Sequence, residues 1–183
     1  LARVAWIMGG AVVGANLFLE GCTRRTTKNV EGLFEPATVD FIGDVADTIL
    51  PPTDSPGAKE AGVGAFIPVM VKDCYTDEQQ KVFVDGLGKL EDASKAKFGR
   101  QFQELAAEER TELLNGIDKE AKEHQKNREN GEPDHYFHLF KQLTLLGFFT
   151  SELGATKALR YVQVPGKYVG DYPYKKGDKA WAT

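Results

Sequence analysis

Apolar residues recur at helical spacing in five stretches of this chain, and proline or glycine separates them. Val39, Ile42, Val45, Ala46 and Ile49 lie three or four positions apart and predict a helix whose first turn holds Pro36 or Thr38. It stops at Leu50-Pro-Pro52, because proline cannot continue a helix and biases the residue before it away from one. Thr53-Asp-Ser-Pro-Gly57 then forms a turn cluster. Gly62-Val-Gly64 opens a second helix, with Pro68 in its first turn and Phe66, Val69, Met70 and Cys74 on its apolar face. Thr76-Asp-Glu-Gln79 has the form of a capping box and starts a third helix through Phe83, Leu87, Leu90 and Ala93 to Phe98-Gly99. Gly86 and Gly88 weaken that helix by up to ~1 kcal/mol each relative to alanine, and close helix contact is the usual reason for tolerating them.

A fourth helix follows Glu108-Glu-Arg110 through Leu113, Leu114 and Ile117, and its continuation from Asp118 to Asn130 is almost wholly charged, the pattern of a solvated end. Beyond the turn Asn130-Gly-Glu-Pro133, the fifth helix runs from about Pro133 to Ser151. β-branched alternation is confined to Tyr161-Val-Gln-Val164. The expected fold is therefore mostly α: one helical domain over 36–183, with an extended C-terminal tail from about residue 155. A linker at 23–35 and a signal-like apolar segment or arm at 1–22 precede it.

That apolar run, Val4 to Leu19, is about 16 residues long, short of the ~20 a membrane helix needs. An apolar stretch followed by small residues has the form of a secretory signal. Its three glycines make it only weakly hydrophobic, as in substrates of the twin-arginine route, although Arg24-Arg25 follows the run instead of preceding it. Leu19-Glu-Gly-Cys22 also has the form of a lipoprotein cleavage box, with Cys22 as the lipidated residue. The alternative is an arm that lays Trp6 and its apolar neighbours in a groove.

The 183 residues suffice for one domain with a real core. A formal charge of −4 argues against nucleic acid, which needs a concentrated basic face. With Cys22 lipidated, Cys74 is left as a buried small hydrophobe or one half of a bridge to another chain, and burial is the expectation.

Little in the chain has the form of catalytic machinery. His135 and His138 sit three apart beside Asp134 and can supply two metal ligands, but a third is needed and His124 lies in the charged segment. Hydrogen bonding at a helix start or interface is the plainer role. Ser151 has no neighbouring base, and Thr150-Ser151-Glu152 suits a cap or turn. Asp40, Asp44 and Asp47 form a carboxylate row opposite the apolar face of the first helix, as solvated faces do.

What remains is aromatic: Phe137, Phe140, Phe148 and Phe149, then Tyr161, Tyr168, Tyr172, Tyr174 and Trp181. Aromatics concentrate at the centres of protein interfaces. The residues expected to meet a partner are Phe148, Phe149, Thr150, Ser151, Tyr161, Pro165, Tyr168, Tyr172 and Trp6.

Four pieces also stand together in order: Ala46-Asp-Thr-Ile-Leu-Pro-Pro-Thr-Asp-Ser-Pro-Gly-Ala-Lys-Glu-Ala-Gly-Val63, Phe98-Gly-Arg-Gln-Phe102 with Glu109-Arg110, Phe140 to Gly154, and Val164-Pro-Gly-Lys-Tyr-Val-Gly170. Across residues 36–175 the chain resembles the gluconate 2-dehydrogenase subunit 3 family, the small subunits of FAD-dependent sugar and sugar-acid dehydrogenases. The resemblance implies a non-catalytic chain without cofactor or metal, whose large partner, of the glucose–methanol–choline type, binds FAD and oxidises the sugar. It further implies chaperone-like stabilisation, twin-arginine export to a periplasmic, membrane-associated location, and often a haem c subunit as electron acceptor. This chain has no Cys-x-x-Cys-His and is not that haem subunit. Two rival readings remain: a stand-alone exported enzyme using His135 or His138 as base, and a lipid-anchored structural protein.

Overall fold

The computed structural model describes residues 30–164 and 166–182, so Trp6, Cys22, the 1–22 segment and Pro165 lie outside the described residues. Five helices carry the described fold: α1 (Pro36–Ile49), α2 (Val63–Cys74), α3 (Asp77–Phe98), α4 (Ala107–Asn127) and α5 (Tyr136–Thr150). Two short strands, β1 (Arg160–Tyr161) and β2 (Trp181–Ala182), pair in parallel.

Local chemistry sets most helix ends. Pro36 occupies the first turn of α1, where its missing N–H is not needed. The Thr76–Gln79 capping box starts α3, with Gln79 N–H donating to Thr76 Oγ1 and Thr76 N–H to Gln79 Oε1 at 3.0 Å. Gly99 closes α3 at φ 70°, a left-handed conformation that glycine adopts without steric penalty. The fifth helix begins at Tyr136 and not at Pro133, because His135 is its N-cap.

Helix α5 is the hub, packing on each of α1 to α4. Its Phe140 stacks on Phe83 of α3 at 5.7 Å, with Phe137 at 6.5 Å on the same helix. Ile42, Val45, Ile67, Val71, Leu90 and Phe102 complete a dry centre. Val30 and Leu33 are buried as well, so the packed body already includes part of the expected linker.

Two glycines set helix distances. A Cβ on Gly64 would lie 2.6 Å from the Val39 carbonyl oxygen and 3.1 Å from the Gly43 backbone, so α1 and α2 cross at backbone contact. A Cβ on Gly86 would fall 2.3 Å from Tyr136, the close contact expected of it, whereas Gly88 faces open space.

Helix α2 departs from expectation. It buries Val63, Gly64, Ile67, Pro68 and Val71, while Val69 and Cys74 are exposed and Phe66 and Met70 only half-buried. The helix is apolar on nearly every side, so its pattern could not say which side faces inward. Cys74, expected in the core, is an exposed free thiol at the last helical position. Pro68 sits well inside α2, past its first turn.

Candidate partner interface

The chemistry-bearing side chains divide into structural groups. Lys59 Nζ lies 2.7 Å from both Asp40 and Asp44, and its own N–H donates to Asp47 at 3.0 Å. Gln103, from the α3–α4 connection, donates to Asp44 at 2.7 Å. The carboxylate row expected to be merely solvated is thus a clasp that fastens the Pro51–Gly62 loop onto α1. The Lys59 ammonium, by hydrogen bond and charge, holds the Asp40 carboxyl below the usual carboxylate range.

The Phe98–Phe102 motif is equally structural. Arg100 reaches Glu109 at 2.6 Å and the Glu104 carbonyl at 3.2 Å, while Arg110 donates to the carbonyls of Leu105 and Gln103. These bonds hold the turn between α3 and α4.

His135 accepts from the Phe137 N–H through Nδ1 at 3.3 Å, the hydrogen-bonding role at a helix start. His124, given no reason to approach, comes to 5.7 Å from it, because α4 stays helical to Asn127 and runs beside the start of α5. Among the described residues no group of three His, Cys, Asp or Glu side chains could hold a metal ion. His138 accepts from the Gln142 side-chain amide at 2.9 Å on the outer side of α5.

Burial, then the nearby His124, lowers the pKa of His135. Its neutral form is also the form that caps α5. The unfolded chain therefore binds the proton first, and stability contributed by this group is lost as pH falls below about 6.5. Wild-type Tm is expected to fall between pH 7.5 and 5.5, and His135→Asn, which keeps a cap acceptor without titrating, is expected to flatten that fall.

The expected contact residues separate into core and surface. Phe148 is 4% exposed and belongs to the core, so it is withdrawn as a contact residue; Phe149, edge-on to it at 5.1 Å, is 40% exposed. Successive helical residues point about 100° apart, which sends one ring inward and the other outward. Ser151 accepts from the Gly154 N–H and donates to the Phe148 carbonyl, the turn role expected of it. A Cβ on Gly154 would sit 1.8 Å from that same carbonyl oxygen, so only glycine fits there.

Leu145, Leu146 and Phe149 lie on the outward side of α5, all at least 40% exposed, with Thr150 beside them. α2 runs alongside, its Phe66 against Gly147, and turns Val69 outward at 45% exposure. Leu145 also borders a groove of about 280 Å³ between α1, α4 and α5, where Ile49, Leu50 and Leu114 meet the Asp118–Lys141 ion pair. The neighbouring helices α2 and α5 therefore leave four large apolar side chains uncovered.

Tyr161, Tyr168 and Tyr172 are exposed, as an interface needs them to be. The tail that carries them closes on itself. β1 and β2 join its two ends, Arg160 lies over the Trp181 ring at 4.2 Å and the Tyr172 ring at 5.8 Å, and its guanidinium donates to the Tyr172 hydroxyl and the Lys179 carbonyl. Arg160 went unnoticed in the sequence, where nothing local marks a residue whose partners lie 12 to 21 positions away.

The clustered polar side chains serve caps and clasps in a helical body, while Val69, Leu145, Leu146 and Phe149 stay exposed. The chain belongs to the gluconate 2-dehydrogenase subunit 3 family, whose sequence model matches residues 36–166. It is in this sense a subunit of a dehydrogenase, with partner subunits implied. No curated protein and no solved structure matches the chain.

Proposed function

We propose that this chain is a non-catalytic small subunit that binds and stabilises the FAD-dependent large subunit of a sugar dehydrogenase. The uncovered apolar side of α5 and α2, from Leu145 to Phe149 and at Val69, carries the reading: such a surface gains most from a protein partner. The FAD belongs to the large subunit, and this chain holds no cofactor. On the same reading the pair leaves the cytoplasm by the twin-arginine route for the periplasm, with residues 1–22 as the signal or as an arm containing Trp6. Cys22 is then the candidate lipid attachment site, and a haem c subunit takes the electrons at the membrane.

Co-purification tests the pairing. A flavin-containing chain is expected to come down with this one, and the isolated small subunit is expected to show neither flavin absorbance nor sugar oxidation with an artificial acceptor. Tight FAD binding by the isolated chain overturns the reading. His138→Ala distinguishes the stand-alone enzyme: loss of turnover with assembly intact makes the histidine a base. Unchanged turnover in the assembled pair supports the subunit.

A further inference from the structure

Charge along this chain is strongly segregated. From Val30 to Gly154 there are 24 acidic residues against 13 basic. From Ala155 to Thr183 the balance reverses, with Lys157, Arg160, Lys167, Lys175, Lys176 and Lys179 against Asp171 and Asp178. Among the described residues, every ion pair lies between Glu31 and Lys141, and none involves any of those six cations. The basic tail is not neutralised by the acidic body that carries it.

The tail is also preshaped. With Arg160 holding Tyr172 and Trp181, the loop frames an open hollow of about 740 Å³ lined by Val162, Val164, Lys167, Tyr168, Val169 and Trp181. Tyr168 is 96% exposed and Val164 77%. A preformed loop surrenders less conformational freedom on binding than a free tail.

We infer that the 160–182 loop is a preformed grip for an acidic surface of the large subunit, taking an apolar side chain into its hollow and facing carboxylates with Lys167, Lys175 and Lys176. The inference rests on the subunit reading above and names the chemistry of the partner face. Charge complementarity selects that occupant. Unpaired cations attract an acidic partner and speed its encounter, and the loop's position on an acidic body turns that partner toward the loop. An anionic bilayer fits less well, since a hollow suits an inserted side chain better than a flat lipid surface does.

The test uses this chain with its proposed flavin-containing partner. A triple variant, Lys167→Glu, Lys175→Glu and Lys176→Glu, is expected to bind at least tenfold more weakly at low salt, and the gap is expected to narrow at high salt as the charges are screened. The Tm of the isolated chain is expected to stay unchanged, because none of the three lysines makes an ion pair in the body. Tyr168→Ala is expected to weaken binding at both salt concentrations. If both variants bind within twofold of wild type while Phe149→Ala still disrupts the pair, the grip is wrong and the subunit reading stands. If no flavoprotein binds the wild type, the subunit reading fails and the grip falls with it. Loss of binding to phosphatidylglycerol vesicles, with binding to the flavoprotein intact, also overturns the grip and makes the loop a lipid-binding element.

Discussion

Phe149→Ala is expected to weaken assembly with the proposed large subunit by about 2–4 kcal/mol, tenfold or more in affinity, while leaving the isolated chain almost as stable as before. The reason is position. Phe149 is 40% exposed near the C-terminal end of α5, beside the exposed Leu145 and Leu146, where a closely packed partner would desolvate it. Its neighbour provides the control. Phe148 is 4% exposed among core side chains, and Phe148→Ala is expected to cost the isolated chain about 3–5 kcal/mol of folding stability. Titration calorimetry against the purified large subunit, alongside thermal melts of the free chain, separates the two effects. Equal destabilisation of the free chain by both substitutions would remove Phe149 from the interface.

Phe140→Ala is expected to cost folding as much as Phe148→Ala does, again about 3–5 kcal/mol. Phe140 is 1% exposed, stacks on Phe83 at 5.7 Å, and sits on a helix that packs on all four others. Removing the ring opens a void at a junction of helices that backbone contacts and Gly86 have already brought close, which leaves little room to collapse. Since domains of this size are stable by only about 5–15 kcal/mol, the variant is expected to be partly unfolded at growth temperature. Urea denaturation followed by circular dichroism measures it. A shift below about 1 kcal/mol would mean that the core repacks around the missing ring.

The candidate interface was legible in part. Its aromatic composition and the apolar run of α5 are properties of consecutive residues, so Phe149, Tyr161, Tyr168 and Tyr172 stand out in the sequence and are exposed in the structure. Phe148 was inseparable from Phe149, because α5 is apolar on almost every side and adjacent positions carry no sign of which one faces in. For the same reason Phe66, Val69, Met70 and Cys74 were placed on the inner face of α2, whereas Val69 and Cys74 point outward.

By itself the sequence determined the five helices and most of their ends. Leu50-Pro-Pro52, the Thr76–Gln79 box and Phe98-Gly99 act through bonds and sterics within a few residues, which no distant contact has to arrange. It determined as well that the chain is mostly helical and, through four ordered pieces, the family to which it belongs. The tertiary structure alone decided what meets across long separations. Lys59 joins Asp40 and Asp44, Gln103 reaches back 59 positions to Asp44, His124 comes beside His135, and Arg160 closes a loop with Tyr172 and Trp181. Each of these pairs depends on how helices cross or how the tail returns, and that follows from the packing of the whole core around α5.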